Sequence, residues 1–305
     1  MRTAFIKALC EEAQKRDDIW LLCGDIGYSV LEVFAERFPK RFVNVGVAEQ
    51  NMIGVAAGLA LSGKTVFTYT IGNFSFMRSM EQIRNELCYH NLDVKVVAVG
   101  GGFAYGNMGY THHAVEDLAM LSTLPNLRVV APGDPVEATL ATHWLCEQKG
   151  PGYLRLGRGG EPVVHNPAPG KLASVMPMRQ GRDAVIISSA ATLDIAAKAQ
   201  ATLTQSGLSA GLISMPLLSP FDAEGLLAQI GGAKALVTIE EHGRGGLGSR
   251  VAECLMDKAP SDIRLKRLHV TLPPCKEAGD RAWQRERQGL TEQGIVDAVC
   301  SMVKK

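Results

Sequence analysis

The sequence predicts an α/β fold of two domains, each with a mainly parallel sheet flanked by helices. Short apolar runs alternate with longer segments of helical periodicity along most of the 305 residues. Continuous apolar strands separated by helices are typical of parallel sheets that are covered on both faces. Between residues 157 and 182, prolines and glycines break every periodicity, which indicates a boundary between two such units. A chain of this length can bury two separate cores.

The first domain is predicted to span residues 1–160. Its short apolar runs favour strands, whereas the segments between them have the three-to-four-residue spacing of helices. The segment 135–147 starts with Pro135, which suits a first helical turn. The expected strands are 19–23, 42–45, 65–70, 94–99 and 127–131, and the expected helices are 29–38, 51–61, 77–89, 114–124 and 135–147.

Residues 161–181 are predicted to be a linker, because prolines recur there and no apolar periodicity survives. The alternation resumes beyond this stretch and predicts a second domain over residues 182–305. Its expected strands are 184–188, 209–215, 235–240 and 265–270, and its expected helices are 194–205, 222–230, 248–259 and 291–303.

The composition argues against several classes of function. The 32 basic and 31 acidic residues give a formal net charge of +1, which offers no electrostatic reason to bind nucleic acid or an anionic membrane. No run approaches the roughly 18 apolar residues of a membrane span, and the charged N-terminal segment does not resemble a signal peptide. Seven cysteines are scattered without a CxxC pair, so we expect reduced thiols in a soluble, cytoplasmic protein and no metal ligands in this chain.

The segment VGVAEQNMIGVAAGLAL, residues 45–61, places Glu49 at the start of a helix whose body is nearly all small or apolar. Carboxylates are common at helix N-termini because they complement the helix dipole and cap free amides. The helix lacks the charged face of a surface helix, however, so we expect it to be buried. A buried carboxylate is costly unless it has a partner. The pattern alone leaves Glu49 open as a helix cap or as a functional carboxylate.

Several segments together resemble the transketolase family of thiamine diphosphate enzymes, in the family's order and over essentially the whole chain. They are LLCGDIGYS (21–29), VGVAEQNMIGVAAGLAL (45–61), TYTIGNFSFMRSMEQIRN (68–85), GYTHHAVEDLAML (109–121), VVAPGDPVEA (129–138), YLRLGRG (153–159) and VTIEEHGRGGLGSRVAE (237–253). The resemblance implies a thiamine diphosphate pyrimidine-binding fold for the first domain. It implies the transketolase C-terminal-domain fold for the second.

The resemblance implies a cofactor site that includes Glu49, an aromatic residue and Asp25. Glu49 would be catalytic, because its carboxyl would hydrogen-bond N1′ of the aminopyrimidine and favour the tautomer that removes the thiazolium C2 proton. Phe74 or Phe76 would stack on the pyrimidine. A one-residue length ambiguity in the match leaves that choice open, with Phe74 favoured, and paired phenylalanines are also typical of a core. Asp25 would lie near the thiazolium and substrate, although it also suits a turn or a helix cap.

The resemblance also implies a substrate site. His112 matches the family's Thr-His, whose histidine hydrogen-bonds sugar hydroxyls, and would be a catalytic and substrate-binding residue. Arg158 and Arg2 match arginines that contact a sugar phosphate, a task that suits the forked guanidinium. Apart from this match, a loop histidine or a lone arginine is usually a surface residue. The chain departs from the family at Met108, where transketolases carry an aspartate, so ordinary pentose phosphate specificity is in doubt.

The family's diphosphate-binding and Mg²⁺-binding segment has no recognisable match in the sequence. The family uses Gly-Asp-Gly followed by Asn in a separate domain, whereas this chain has GDI at 24–26 and GDP at 133–135 in other contexts. The sequence thus resembles the back half of a transketolase or a separately encoded subunit. We expect a partner subunit that holds the diphosphate and Mg²⁺, a homodimer contact, and an α2β2 complex. The glycine-rich segment 243–248 lacks the spacing of a nucleotide fingerprint and is expected to be structural.

The predicted function is the transfer of a two-carbon ketol unit between sugars, with sugar phosphates favoured, through thiamine diphosphate. The β subunit of a 2-oxoacid dehydrogenase shares the glutamate and both domains, and it is an alternative, as is a 1-deoxyxylulose-5-phosphate-synthase-like enzyme. His112, His113 and Arg158 favour sugar transfer over a 2-oxoacid dehydrogenase, because sugar hydroxyls and phosphates need such donors. A non-catalytic homologue is disfavoured, since it would have no use for a buried carboxylate.

Overall fold

The computed structural model describes residues 1–258, 262–271, 273–274 and 276–303. Over these residues the chain forms a seven-stranded and a five-stranded sheet with helices packed against them, so the predicted α/β class is confirmed. The elements up to residue 156 are α1 (Arg2–Lys15), β1 (Ile19–Cys23), α2 (Glu32–Arg37), β2 (Phe42–Asn44), α3 (Glu49–Leu61), β3 (Thr65–Ile71), α4 (Gly72–Met77), α5 (Met80–Gln82) with a π-helical segment (Ile83–Cys88), β4 (Val94–Val99), α6 (Asp117–Ser122), β5 (Arg128–Val130), α7 (Pro135–Glu147) and β6 (Gly152–Leu156).

The remaining described elements belong mainly to the second sheet and its helices. They are β7 (Met176–Arg179), β8 (Ala184–Ser188), α8 (Leu193–Gln205), β9 (Ala210–Ser214), β10 (Leu217–Ser219), α9 (Ala223–Ile230), β11 (Ala235–Ile239), α10 (Leu247–Lys258), β12 (Arg264–Leu268), α11 (Arg281–Arg287) and α12 (Glu292–Val303).

The first sheet has the strand order β10-β5-β6-β4-β3-β1-β2, and every neighbouring pair is parallel except β10 with β5. The central strand β4 is buried at every position, which is the reason for its unbroken apolar sequence. Parallel strands present all their carboxyl ends at one edge, and the loops at that edge are the usual place for a ligand. This edge positions the candidate site.

The second sheet has the order β12-β11-β8-β9-β7, and only the edge strand β7 is antiparallel to its neighbour. The central strands β8 and β11 are buried throughout. The two sheets are tied together by β10, which follows β9 in sequence but pairs with β5 of the first sheet.

The structure differs from the sequence-based expectation in a few elements. β7 lies inside the predicted linker, and the helices α1 and α11 were not among the predicted elements. The expected helix 114–124 is shorter, because α6 begins at Asp117. Residue 259, the expected end of one helix, lies outside the described residues, as does Cys275. The six described cysteines are free thiols, and all but Cys300 are buried. Among the described helices, none has the length and apolar character needed to cross a membrane.

Candidate active site

Most of the sequence-predicted site residues lie at the carboxyl edge of the first sheet. Asp25 follows β1, Phe74 follows β3, the loop of His112 follows β4 and Arg158 follows β6. Because these strands are parallel neighbours, their carboxyl ends meet. Glu49 joins this group from the start of α3, the helix that follows β2.

Glu49 is the first residue of α3, and only 5% of its surface is exposed. The helix holds it in place by packing Met52, Ile53 and Ala56 into the hydrophobic core. The carboxylate Oε1 accepts a hydrogen bond of 2.8 Å from Nη1 of Arg78. Glu49 therefore has the partner that a buried carboxylate requires, and that partner is a side chain rather than the amides of its own helix.

The two phenylalanines of α4, Phe74 and Phe76, face different environments. Phe76 is completely buried in the hydrophobic core, which speaks against the expectation that it could contact a cofactor. Phe74 is half-buried, its ring centre lies 3.9 Å from the Arg78 guanidinium carbon, and its edge meets the His112 ring at 5.0 Å between centroids. Of the two, Phe74 has the ring face that is free of the core.

Asp25 is exposed in the turn after β1, where its φ of 54° lies in the left-handed region. Its carboxylate Oδ1 accepts a hydrogen bond of 3.0 Å from Nδ2 of Asn44. The Oδ1 of Asn44 accepts in turn from the backbone amides of Asp25 and Gly46. Asn44 is the last residue of β2, and it joins the turn of Asp25 to the segment that leads into Glu49.

His112 lies half-buried on the loop that follows β4. Its Nδ1 is 3.0 Å from the hydroxyl of Thr111. Burial lowers the pKa of His112, and electrostatic interactions with the neighbouring His113 and with the charge of Arg78 lower it further. A neutral imidazole at pH 7 can both donate and accept, which suits contact with hydroxyl groups. His113 instead points inward, where its Nε2 lies 3.2 Å from the carbonyl of Gly106 and its ring meets Phe103.

A pocket of about 310 Å³ lies next to this loop and is lined by Met108, Tyr105, Arg158 and Arg281 among others. Met108 is 54% exposed, and the guanidinium of Arg158 lies 5.3 Å from the ring centre of Tyr105. Arg281 belongs to α11, so the part of the chain beyond the linker contributes to the wall. The pocket thus brings together Arg158, which is predicted to bind a phosphate group, and Met108, where the sequence departs from the family.

Arg2 reaches the same region from the start of α1. It lies beside Gly159, immediately after Arg158. Burial raises the pKa of Tyr105, and the positive charges of Arg2 and Arg158 oppose that rise, so both arginines flank the tyrosine. The Nε of Arg2 is buried and has no hydrogen-bond partner among the described residues. Arg158 lines the pocket and Arg2 lies next to it beside Gly159, and guanidinium groups in these places suit an anionic substituent of a ligand.

The loop between β4 and α6 is held by a buried ion-pair cluster from the other sheet. Glu241, which follows β11, accepts hydrogen bonds at 2.8 Å and 2.9 Å from Arg281 and another from Arg285. Its Oε2 also accepts from the backbone amide of Phe103 at 3.1 Å. Gly102 has a φ of +66°, and a Cβ there would collide with the Glu241 carboxylate. The close approach of loop and carboxylate therefore depends on glycine at this position.

A second buried network, centred on Arg155 of β6, also contacts the loop between β4 and α6. Arg155 on β6 donates to the carbonyls of Ala114 and Glu241 and lies 2.9 Å from Asp117. Asp117 also accepts a hydrogen bond of 2.7 Å from the hydroxyl of Tyr153. His242 packs 3.8 Å from Asp117, and complete burial lowers its pKa to about 4. These contacts fix both ends of the segment that presents His112.

The glycine-rich segment 243–248 has no free anion site at the start of α10. Glu240 accepts hydrogen bonds of 2.7 Å from the backbone amides of Leu247 and Gly248. Its carboxylate therefore occupies the amides that a phosphate group would need.

Arg78, Asn44 and Glu241 are site residues that the sequence analysis did not single out. Arg78 lies inside a matched segment, two residues after Phe76, but its pairing with Glu49 joins positions that are 29 apart in sequence. Asn44 carried a usable signal, because it is a polar residue at the carboxyl end of a parallel strand. Glu241 has no comparable signal, since its partners come from three separate segments.

Comparison with known proteins identifies both parts of the chain. Residues 1–161 match the family model of the transketolase pyrimidine-binding domain, and residues 173–295 match the transketolase C-terminal domain. A subunit of the apulose-4-phosphate transketolase of Actinobacillus succinogenes is 32% identical over 88% of this chain and 87% of its own length. The 6-deoxy-6-sulfo-D-fructose transketolase subunit SqwH of Clostridium sp. (strain MSTE9) is 32% identical over 100% of this chain and 95% of its own.

A solved structure of a split-gene transketolase, described as an inactive β4 tetramer, resembles the whole chain. It is 36% identical, superposes with a TM-score of 0.90, and matches over 99% of this chain and 98% of its own. The order of the two matched domains and the overall fold agree with the split-gene structure. The chain belongs to the transketolase family, and it carries that family's pyrimidine-binding and C-terminal domains.

Proposed function

We propose that this chain is one subunit of a thiamine-diphosphate-dependent transketolase-like enzyme, which moves a two-carbon ketol unit between sugar substrates. The observation that carries the proposal is the buried Glu49 carboxylate beside the half-buried ring of Phe74. A carboxylate shielded from water and a flat apolar face are the two features that an aminopyrimidine ring needs. The residues present therefore fit the cofactor that the family uses.

Thiamine diphosphate, when bound, supplies the nucleophilic carbon and electron sink for cleavage of the bond next to a ketone. The chain's own residues prepare the site for that chemistry. Glu49 would hold a proton at its carboxyl oxygen toward the aminopyrimidine, and Phe74 would orient the ring by stacking. His112, neutral at pH 7, would donate to or accept from substrate hydroxyls. Asp25, held by Asn44, would lie near the thiazolium and the substrate.

The proposed substrates are sugars with an anionic group. Arg158, which lines the pocket of about 310 Å³, and Arg2, which lies beside Gly159 of that pocket, would bind that group. The relatives named above are described as acting on apulose-4-phosphate and on 6-deoxy-6-sulfo-D-fructose, and each of these names contains an anionic substituent. An assay of the reconstituted enzyme with ketose phosphates and with pyruvate tests the proposal. If the enzyme turns over pyruvate but no ketose phosphate, the proposed sugar transfer is contradicted, and a 2-oxoacid dehydrogenase or a 1-deoxyxylulose-5-phosphate-synthase-like enzyme is favoured.

Met108 is expected to help select the sugar. It is exposed at the pocket wall, where family members carry an aspartate that accepts a hydrogen bond from a sugar hydroxyl. Met108→Asp should raise kcat/KM for a hydroxyl-rich pentose phosphate relative to the native substrate by about tenfold, the effect of one hydrogen bond. Met256→Asp, at an exposed methionine on α10, is the matched control. An unchanged ratio of kcat/KM values would remove Met108 from the substrate site.

We also propose that a partner subunit supplies the diphosphate and Mg²⁺ ligands. The two sequence segments that start with Gly-Asp have other tasks in the fold. Asp25 is engaged with Asn44, whereas Asp134 caps α7 by accepting from the backbone amide of Glu137 at 2.8 Å. The amide groups of Val164 and His165 also donate to Asp134.

The isolated chain is therefore expected to bind thiamine diphosphate only weakly in the presence of Mg²⁺. Titration calorimetry on the purified chain, and on the chain co-purified with its partner, measures the difference. We expect the dissociation constant to fall by at least about 100-fold in the pair, because the diphosphate and its metal ion contribute several charge-assisted hydrogen bonds. Tight, Mg²⁺-dependent binding to the chain alone would contradict the split-site proposal.

The exposed face of α3 is the proposed contact between copies of this chain. Gly54 and Gly58 lie on this face and Leu61 is largely exposed; Met77 and Tyr89, in the stretch of chain that follows β3, are exposed as well. Small residues let helices approach closely, and a self-complementary patch most often gives two-fold symmetry. We propose a homodimer contact here and an α2β2 complex with the partner.

Light scattering of the purified chain at micromolar concentration tests this contact. A dimer or a larger even-numbered assembly is expected, and the split-gene relative is described as a β4 tetramer. Leu61→Lys should shift the mass toward one chain, because it places a charge in the contact. A mass near 32.8 kDa for the unmodified chain would contradict the proposal.

A further inference from the structure

Arg78 occupies both of the positions that an aminopyrimidine would take at the proposed cofactor site. Its Nη1 donates to Oε1 of Glu49 at 2.8 Å. Its guanidinium carbon lies 3.9 Å from the ring centre of Phe74. One flat cation therefore makes a hydrogen bond to the buried carboxylate and a stacking contact with the aromatic face at the same time.

The chemistry of the two groups is closely matched. A guanidinium is planar, carries N–H donors in its plane and stacks on aromatic rings. An aminopyrimidine whose N1′ has taken up the proton shared with Glu49 presents the same two features to the carboxylate and to Phe74: an in-plane N–H and a flat π face. A pyrimidine bonded to the same oxygen, Oε1 of Glu49, and stacked on the same face of Phe74 would need the space that the guanidinium of Arg78 fills.

The burial of Glu49 explains why its carboxylate needs a partner such as Arg78 in the free chain. Glu49 is 5% exposed, and a buried carboxylate without a partner costs free energy. The side chain of Arg78 is 46% exposed, so water reaches it and the side chain can leave toward solvent by rotation. Its backbone lies at the C-terminal end of the short helix α4, directly after the segment that carries Phe74. The pair thus joins a fixed carboxylate to a movable cation.

We propose that Arg78 is a placeholder that satisfies Glu49 and Phe74 in the cofactor-free chain and is displaced when thiamine diphosphate binds. The inference rests on the function proposed above. It gives Arg78 opposite effects on two measurable quantities. Arg78 stabilises the free chain, because it neutralises a buried charge, and it weakens cofactor binding, because its contacts with Glu49 and Phe74 must be broken first.

The test uses Arg78→Ala, with Arg84→Ala as the matched control. Arg84 is an exposed arginine six residues further along, and its guanidinium hydrogen-bonds to the side chain of neighbouring Asn85. We expect Arg78→Ala to lower the thermal midpoint of the isolated chain. We also expect it to tighten thiamine diphosphate binding to the co-purified pair, with Mg²⁺ present, by about tenfold in calorimetry, the combined worth of an exposed ion pair and a cation–π contact. Arg84→Ala should change neither quantity.

A double variant examines whether Arg78 acts through Glu49. In a Glu49→Gln background the carboxylate charge is gone, so Arg78→Ala should have a much smaller effect on the thermal midpoint and on cofactor affinity. Arg78→Lys keeps the charge but cannot stack as a planar group, so it should fall between the unmodified chain and Arg78→Ala in both measurements.

The possible failures are distinct. If the unmodified pair binds no thiamine diphosphate, the proposed function itself is wrong. If the pair binds it and Arg78→Ala weakens the binding, Arg78 contacts the bound cofactor and the placeholder assignment is overturned. Unchanged affinity in Arg78→Ala also overturns the assignment, since displacement of the side chain would then have no cost.

Discussion

Replacement of Glu49 by glutamine is expected to lower turnover of the assembled enzyme by about 10²–10⁴-fold, the usual range for loss of one acid–base group. Glutamine is nearly isosteric with glutamate, so the start of α3 should keep its shape. The amide cannot hold and release a proton as the carboxyl does, so the proposed tautomer relay loses its first member. Single-turnover and steady-state rates with a ketose phosphate donor, measured on the pair, report the loss.

The control for this variant is Glu224→Gln. Glu224 also lies in the first turn of a helix, α9, but its side chain is largely exposed and far from the sheet edge that carries the site. It tests the effect of removing a first-turn carboxylate as such, which is small at a surface position. Near-normal turnover in Glu49→Gln would show that another group activates the cofactor, and the assignment of Glu49 would then be wrong.

The strands were predictable from the sequence because burial on both faces leaves little freedom of composition. β4 and β8 are continuous apolar runs, and the structure buries every residue of both. β10 could not be predicted in the same way. It has three residues, which is too few to show a periodicity, and it pairs with β5 of the first sheet although its neighbours in sequence belong to the second. α1 did carry a signal: Phe5, Leu9 and Ala13 recur at helical spacing and are all buried.

The site was partly predictable because parallel strands place their following loops at one edge. Asp25, Phe74 and Arg158 each follow a strand, and the structure brings these loops to the same edge of the first sheet. The pattern could not distinguish Phe74 from Phe76, since both lie in the short helix α4 and only packing decides which ring enters the core. It also could not reveal Arg78, because a pairing between a helix start and a later turn depends on three-dimensional placement.

The contacts between the two sheets were the least predictable part. No sequence pattern marked Glu241, and only the fold brings Arg281 and Arg285 to its carboxylate. A cluster of this kind contributes to function indirectly, because its fourth contact is the backbone amide of Phe103, at the start of the loop that ends in His112.

Glu241 is 2% exposed, so the expected effect of its loss on stability is large. Glu241→Gln removes the charge that two arginines share and leaves them with an amide oxygen. Removal of one partner from a buried ion pair typically costs about 3–5 kcal/mol in free energy of unfolding, and we expect a loss near the lower figure because both arginines retain some contact with water. Asp262→Asn is the matched control, since Asp262 pairs with Lys234 in an exposed salt bridge, where solvent screening leaves little effect on stability.

The dependence of this loss on pH has a defined sign. Burial alone would raise the pKa of Glu241, but the charges of Arg281 and Arg285 outweigh it and hold the pKa well below the ordinary range. A carboxyl whose pKa is lowered on folding stabilises the protein above its unfolded pKa of about 4.3, and this stabilisation is lost as the pH falls toward the folded pKa. Urea unfolding should therefore separate Glu241→Gln from the unmodified chain clearly at pH 7 and by a smaller margin at pH 3, with the remainder lost only as the pH falls further toward the folded pKa. An equal difference at both pH values would show that the variant acts through packing, and an absence of any difference at pH 7 would show that the cluster does not hold the two domains together.

If the cluster also positions the substrate loop, the variant should raise KM for the sugar with a smaller change in kcat, because His112 would be less well placed for binding while Glu49 is untouched.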